Sequence, residues 1–599
     1  MKAVVRFDQQ TQFLRAAGNV LGGAAEKLLL ESRAPHVALH GAYAASLLGP
    51  WRRFRRSLAR PEQANQLRLK SILHRNTETE FGRTHDFRRI DSIHEYQTHV
   101  PIRTYEELEP FIRRAIEGRS GVLTASDVIA FEQTSGSSNF TKLIPYTQTF
   151  LNEFETATSA WLADLFYRRP ELIGKRTYYA VSPQIHREHQ FTSGGIPIGL
   201  KSEIDYFGPL ARVALGQLSI RPGLTTYRAS DVEDSEKLEA VLEEWRLSTA
   251  AALLSADDLG LISVWSPTFL FPVFDVIKSH WTEVAARIKN RARRTTLQRL
   301  FENFRPDRHA QGMQAFLAEA WPSLKVVSCW ADGASADAAV RLGHEIPDHV
   351  ELDAKGLIAT EGVVTIPFSG APDPVVAVGS HFYEFIDLEH PSKRPRLPHE
   401  LKVGGLYSPV ITTSGGLYRY HLRDMMYCTG RNRGTPTLRF RGRLDRTSDL
   451  CGEKLNAAQV ERAFEIACSL SGFRPDFFLL SPKRGRQSAY NAFIEAGRPA
   501  FELQRFVANV EQALRKNPSY NQALELKELG PIEMIQIVNG IETWERFKLS
   551  RGQRLGAIKL VRLDTEYDWT EIFKLVGKKE YSKSQIENLD EEAAVPVKP

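Results

Sequence analysis

Cysteine is scarce: a chain of 599 residues holds four, Cys329, Cys428, Cys451 and Cys468, with no Cys-x-x-Cys pair and no zinc-like spacing. This excludes a disulfide framework and a structural zinc site, and it suits a reducing cytoplasm. No apolar run approaches the length that spans a bilayer, and the N-terminus MKAVVRFDQQTQFLR lacks the uninterrupted apolar stretch of a signal peptide. Neither secretion nor membrane insertion is expected. Charge of one sign is also wanting: 78 Lys and Arg against 72 Asp and Glu leave +6. Nucleic-acid binding needs positive charge gathered on a face, and short patches such as Arg52, Arg53, Arg55 and Arg56 read as a solvated helix face, so no nucleic-acid partner is expected. No repeat occurs at solenoid periods.

What is present is the balance of a globular protein, 42% hydrophobic and 25% charged. The length calls for two or more domains. Residues 1 to about 125 are mainly helical in pattern, as in Gly22 to Leu30 and Tyr105 to Gly118. From Asp127 to about Arg439, short β-branched or apolar runs (Val128 to Phe131, Thr177 to Val181, Leu324 to Ser328, Gly362 to Pro367) alternate with helical stretches such as Asp234 to Leu247. That alternation predicts an α/β domain. Turn residues in RNRGTP, from Arg431 to Pro436, precede a new run of alternating elements after Asp445, and the charged end, closing in AAVPVKP, is expected to fray.

One loop has the makings of a phosphate site. In FEQTSGSSNFTKLIPYT, Phe131 to Thr147, a presumed strand runs into Thr134, Ser135, Gly136, Ser137 and Ser138, with Lys142 beyond. Backbone N–H groups and hydroxyls of such a loop can cradle a polyphosphate, and Lys142 adds a point charge. The Walker spacing is absent, and by itself the segment reads better as an ordinary polar surface loop. His186 and His189 have His-x-x-His spacing but no third ligand beside them, so no metal is assigned there.

The loop resembles the phosphate loop of the adenylate-forming superfamily, and four further elements follow in that superfamily's order. Leu357 to Glu361 (LIATE) is similar to its Tyr-Gly-x-Thr-Glu element, Leu417 to Asp424 (LYRYHLRD) to Tyr-Arg-x-Gly-Asp, and Phe440 to Glu461 to the hinge, with Gly442, Arg443, Asp445 and Gly452 on the pattern. Gly556 to Arg562 resembles the stretch that carries a mobile catalytic Lys. The resemblance implies ATP and Mg²⁺ as cofactors, Ala359 and Thr360 at the α-phosphate, Glu361 on the metal, Asp424 on the ribose, Arg443 as a nucleotide contact, Asp445 as the hinge and Lys559 as the catalytic cation. Asn139, Leu357, His421 and Arg423 depart from the pattern. Leu357 replaces an adenine-stacking Tyr; Phe440 is a candidate to cover adenine instead, although by itself it reads better as a core residue.

Several stretches resemble more narrowly the Gretchen Hagen 3 family of acyl acid amido synthetases: NTETEFG (Asn76 to Gly82), VPIRTY (Val100 to Tyr105), Gly118 to Leu123, FTSGGIPIG (Phe191 to Gly199), VSCWADGA (Val327 to Ala334) and CGEKL (Cys451 to Leu455). A strand ending in Ala331, Asp332 and Gly333 would let backbone approach a bound acyl adenylate, and reads equally as a tight structural turn. The family implies an α/β fold: a large N-terminal adenylate-forming domain of mixed sheets and helices over residues 1–440, and a smaller mobile C-terminal α/β lid over 441–599, hinged near 443–447 and frayed over about 583–599. It also implies a cytoplasmic ligase, favoured as a monomer, that adenylates a small carboxylic acid and passes the acyl group to the amine of an amino acid or another amine. A thioester-forming relative of the acyl-CoA ligases and a non-catalytic nucleotide-binding relative are the alternatives.

Overall fold

The computed structural model describes residues 34–576 apart from 135–141, 180–183, 187–190, 200–215, 217, 221–225, 229–234, 309, 392, 445–446, 452, 484–487, 552, 554–557 and 568. Its helical opening follows local rules. Ser92 caps the helix Ile93–His99: its hydroxyl accepts the Glu95 N–H at 3.1 Å, and the Glu95 carboxylate accepts the Ser92 N–H at 3.0 Å. In Tyr105–Ile116 the buried residues Tyr105, Leu108, Ile112 and Ala115 recur at three- and four-residue spacing and face the core.

Two sheets organise the large domain. Four strands, Arg176–Tyr179, Leu259–Ser263, Val326–Cys329 and Glu351–Ala354, lie parallel in that order, and helices such as Ser235–Leu254 connect them. Leu259–Ser263 and Val326–Cys329 are buried along their whole lengths, as central strands covered on both faces must be. The larger sheet is antiparallel, in the order Thr365–Ile366, Val375–Val376, Thr435–Arg443, Asp424–Asn432, Leu406–Thr412, Phe382–Asp387, with Tyr420–His421 as a seventh strand beside Leu406–Thr412. The buried helix Gln148–Arg168 packs with this sheet and the N-terminal helices in one core.

The small domain pairs Phe477–Lys483 antiparallel to Ala489–Glu495, which runs parallel to Glu533–Gln536. The helices Ala457–Ser471 and Ala500–Leu514 close a separate core over it. A further core starts at the parallel sheet and continues into the small domain through Phe477, Phe493, Trp544, Phe547, Ile558 and Trp569. Among the described residues no helix is long and apolar enough to cross a membrane.

The strands expected at Val128, Thr177 and Leu324 form as Val128–Gln133, Arg176–Tyr179 and Val326–Cys329; of the helical stretch expected over Asp234 to Leu247, Asp234 lies outside the described residues and the helix runs Ser235–Leu254. The run from Gly362 to Pro367 is divided: Gly362–Val363 turns back on Ile358–Ala359, whereas Thr365–Ile366 joins the large sheet. Gly22 to Leu30 lies outside the described residues.

Candidate active site

The phosphate-loop segment is a β-hairpin, Val128–Gln133 against Leu143–Thr147, closed by a 3.0 Å bond from the Thr134 N–H to the Lys142 carbonyl. Ser135, Gly136, Ser137 and Ser138 lie outside the described residues, as does Asn139. The glycine-rich segment before Gly199 flanks the hairpin: Phe131 donates to the Pro197 carbonyl at 2.9 Å and accepts from Gly199 at 2.7 Å. Gly194 has no room for a side chain, since a Cβ there would lie 2.3 Å from the Gly118 nitrogen. Lys142 pairs with Glu106 at 3.0 Å over the Tyr105 ring. Burial works to raise Glu106, but its own backbone N–H and Lys142 overcome this and hold its carboxyl at about 2.

Thr360 and Glu361 form the tip of the hairpin that pairs Ala359 with Gly362. The tip is held from beneath. Tyr146 donates its hydroxyl to the Thr360 carbonyl at 2.7 Å, and the Val363 N–H donates to Nε2 of His381 at 3.1 Å. His381 in turn donates from Nδ1 to Glu153 at 2.9 Å, so the second bond sets the tautomer required by the first. Glu153, which is 2% exposed, also accepts from the Ser414 N–H and hydroxyl. Burial pushes the Glu361 carboxyl above the ordinary range; its own backbone N–H, Arg443 and Lys142 oppose the rise and Asp424 adds to it. Four charged groups from four separate segments therefore act on one another here.

Asp424 opens one strand and Arg443 ends its neighbour, and the register places them directly opposite, joined at 3.2 Å. Asp424 is buried and forms an ion pair with Arg443. Arg419 is committed elsewhere: it makes two 2.9 Å bonds to Glu384 and donates to the Gln97 and Val100 carbonyls. Arg423, with φ of 61°, adopts a left-handed turn and accepts the Leu444 N–H at 2.6 Å. The side chain of His421 meets Ser408 at 2.8 Å. Buried Tyr420, affected by the charges of Glu361 and Arg443, belongs to the same group.

The strand Val326–Cys329 ends before Trp330, and Ala331, Asp332 and Gly333 follow at the carboxyl edge of the parallel sheet, where open α/β folds bind ligands. Gly333 takes φ of +56°, and a Cβ there would lie 3.0 Å from the Phe440 ring. Phe440 donates its N–H to Asp332 at 3.3 Å, so the half-buried ring and this turn form one surface. Burial raises the Asp332 carboxyl to about 6, against the Phe440 N–H and Arg439. Lys559, from the small domain, places Nζ 4.3 Å from the centre of the Trp330 ring, which itself leans on Trp265 at 5.5 Å. Asp445 lies outside the described residues, just past the end of Thr435–Arg443. Beneath Trp265, the buried Lys355 bonds Ser263 at 2.6 Å and faces the rings of Trp161 and Trp265.

Spacing offered no signal for Tyr146, Glu153, His381 or Lys355, which come from elements scattered through the sequence. The one three-donor group with metal-like geometry among the described residues, Asp387, Glu389 and His390, lies elsewhere and is largely exposed. At the hairpin tip a carboxylate, hydroxyls and carbonyls provide an all-oxygen donor set, which fits a hard cation that keeps its waters and its phosphate ligands.

Comparison with known proteins agrees over most of the chain. The GH3 family N-terminal domain matches residues 51–349, the GH3 family central domain 375–443 and the GH3 family C-terminal domain 458–567. An indole-3-acetic acid-amido synthetase, GH3.4 of Arabidopsis thaliana, is 22% identical over 84% of this chain and 89% of its own length. From the same plant, the 4-substituted benzoates-glutamate ligase GH3.12 is 20% identical over 67% and 72%. The solved AtGH3.15 acyl acid amido synthetase in complex with 2,4-DB superposes with a TM-score of 0.72 at 18% identity, covering 89% of this chain and 96% of its own.

Proposed function

The chain belongs to the GH3 family and is an amide-forming ligase working through an acyl adenylate, and from that premise we propose how its residues divide the work. A small carboxylic acid attacks the α-phosphorus of ATP through one carboxylate oxygen, and pyrophosphate leaves. The amine of an amino acid then attacks the acyl carbon of the mixed anhydride; AMP leaves, and the nitrogen gives up a proton. No protein nucleophile is needed, because AMP is already a good leaving group. The protein supplies position and charge.

The observation that carries this reading is the gathering of Lys142, Glu361, Asp424 and Arg443 into one interacting group from four segments. Asp424, held by Arg443, accepts hydrogen bonds from the ribose hydroxyls. Glu361 would hold Mg²⁺, which when bound would supply positive charge at the phosphate oxygens. Thr134, Ser135, Gly136, Ser137, Ser138 and Lys142 cradle the β- and γ-phosphates, Ala359 and Thr360 meet the α-phosphate, and Phe440 covers adenine from the Gly333 side. Ala331, Asp332 and Gly333 line the acyl adenylate. Lys559 neutralises charge on the carboxylate and α-phosphate, and Asp445 is the pivot about which residues beyond it turn between half-reactions. No disulfide joins the four cysteines, which suits the cytoplasmic setting proposed for the chain.

The relatives' names speak of indole-3-acetic acid and 4-substituted benzoates. A panel of aryl and aliphatic acids, incubated with MgATP and either pooled amino acids or CoA and followed by product mass, tests the reading. An amide that requires both acid and ATP is expected. A thioester with no amide would overturn it.

A further inference from the structure

Lys548 lies in the last turn of the helix Gly540–Ser550 and is 5% exposed. Removing an ammonium from water is costly unless partners replace its hydration. Here Asp564, equally buried, lies 3.3 Å from Nζ, and four rings surround the cation: Tyr567 at 4.5 Å, Trp544 at 4.7 Å, Trp569 at 5.7 Å and Phe547 at 6.0 Å. Among the described residues the Trp544 and Trp569 indole N–H groups meet no hydrogen-bond acceptor, and their rings stack 4.6 Å apart, so they serve this corner by their faces.

The partners come from both sides of one stretch. Trp544 and Phe547 precede it; Asp564, Tyr567 and Trp569 follow it; between them lies Lys559. A second cation repeats the tie, since the Arg551 guanidinium lies 5.2 Å from Phe547 and 5.7 Å from Tyr567. The returning arm is bonded to the small-domain sheet: Leu480 donates to the Arg562 carbonyl at 2.8 Å and Asp564 to the Leu480 carbonyl at 3.1 Å. Three residues before Arg562, Lys559 reaches Trp330 of the large domain. An aliphatic side chain would fill an aromatic corner at lower cost. A buried cation adds direction: it is stable only with both arms in place.

We propose that Lys548 is a positioning residue for Lys559, the ion at which the two arms of the Lys559 segment are tied together so that its ammonium is delivered to the Trp330 edge of the site. The proposal rests on the role given above to Lys559. Acid-dependent ATP–pyrophosphate exchange is measured on the full chain carrying Lys548→Met, Lys548→Arg, Asp564→Asn, Lys559→Ala and the double change Lys548→Met/Lys559→Ala. Because small misplacements of a reacting group cost on the order of 10- to 100-fold, Lys548→Met and Asp564→Asn are expected to lower kcat by that range with KM for ATP within about two-fold. Lys548→Arg recovers most of the rate, and Lys548→Met adds no further loss in the Lys559→Ala background. An equal fractional loss in both backgrounds overturns the proposal, as does wild-type kcat in Lys548→Met beside a crippled Lys559→Ala. Full exchange in Lys559→Ala removes the premise itself, and the proposal with it.

Discussion

Asp424 and Arg443 lie directly opposite each other on neighbouring antiparallel strands, and Nη1 of the guanidinium donates to Oδ1 of the carboxylate at 3.2 Å. The pair sits at the ends of the two middle strands of the large sheet, where the chain leaves it for the small domain. Arg443 is more open than its partner, with 38% of its side chain exposed against 6%. One cation therefore both holds Asp424 and reaches outward.

Asp424→Asn keeps the shape and loses the charge. Hydrogen bonds to a charged group contribute roughly 1.5–3 kcal/mol, so KM for ATP is expected to rise about 10- to 100-fold with little change in thermal stability. Arg443→Ala is expected to raise it too, and the double variant by less than the product of the two, because one interaction is lost in each. Initial rates of pyrophosphate exchange against ATP concentration measure all three.

In the proposed mechanism Glu361 works as an anion, and burial lifts its carboxyl above the ordinary range, with Arg443 and Lys142 opposing the rise. Glu361→Gln is expected to lower kcat by on the order of 100-fold or more, the scale of a lost electrostatic contact in a reaction site. Removing a cation that favours the ionised form raises the carboxyl further. Arg443→Ala is thus expected to move the acidic limb of the kcat profile to higher pH; an unmoved limb would separate Glu361 from that titration.

Gly333 occupies a left-handed turn against the Phe440 ring. A side chain there costs roughly 1–2 kcal/mol from backbone strain alone, and its Cβ must displace the ring. Gly333→Ala is expected to lower the unfolding midpoint slightly and to weaken ATP binding more than Phe440→Leu, which trims the ring but leaves the turn. Nucleotide titration by calorimetry compares the two.

His381 links Glu153 to the Val363 N–H under the Thr360–Glu361 tip. His381→Ala leaves a buried carboxylate short of a donor and a buried N–H without an acceptor, a loss of roughly 2–4 kcal/mol. Denaturant unfolding reads that cost. A matching rise in KM for ATP, larger than that from a core truncation of equal cost such as one at Leu165, would tie the linkage to the site.

Glu545 reports on the contact between domains. Burial raises its carboxyl to about 7, opposed by a hydrogen bond with Thr268 and by Arg246. A carboxyl raised on folding contributes stability that is complete below its unfolded value near 4.5 and is lost as pH climbs through 7. Glu545→Gln is expected to remove that part of the decline in melting temperature between pH 4.5 and 7 and to leave the variant more stable than the parent at pH 8. The difference is at most about 3 kcal/mol.

Much of this was legible in the residues themselves. The alternation of short apolar runs with helical stretches announced an α/β domain, because side-chain periodicity follows from strand and helix geometry alone. The adenylating reading came from resemblance: the elements around Thr134, Thr360–Glu361, Asp424, Arg443 and Lys559 follow the order of the adenylate-forming superfamily, whereas each of them alone reads equally as a turn or strand end. Local spacing also misled in places. It joined Gly362 to Pro367 into one run, although Gly362–Val363 and Thr365–Ile366 pair with different partners.

What the tertiary structure alone decided is which of these groups meet. His381 and Glu153 are 228 residues apart, and Tyr146 lies 214 from the carbonyl that it holds. Lys559 finds Trp330 across two domains, and Lys548, which has Trp544 on its own helix, finds Tyr567 and Trp569 from the far side of the Lys559 segment. The same holds for Asp424: its sequence neighbours Arg419 and Arg423 are drawn to Glu384 and into a turn, and strand register supplies Arg443 instead. Spacing along the chain determines which way a side chain points within its own element. Its partner is set by how sheets, helices and domains stack, a global balance of burial and hydrogen bonding that no short stretch contains.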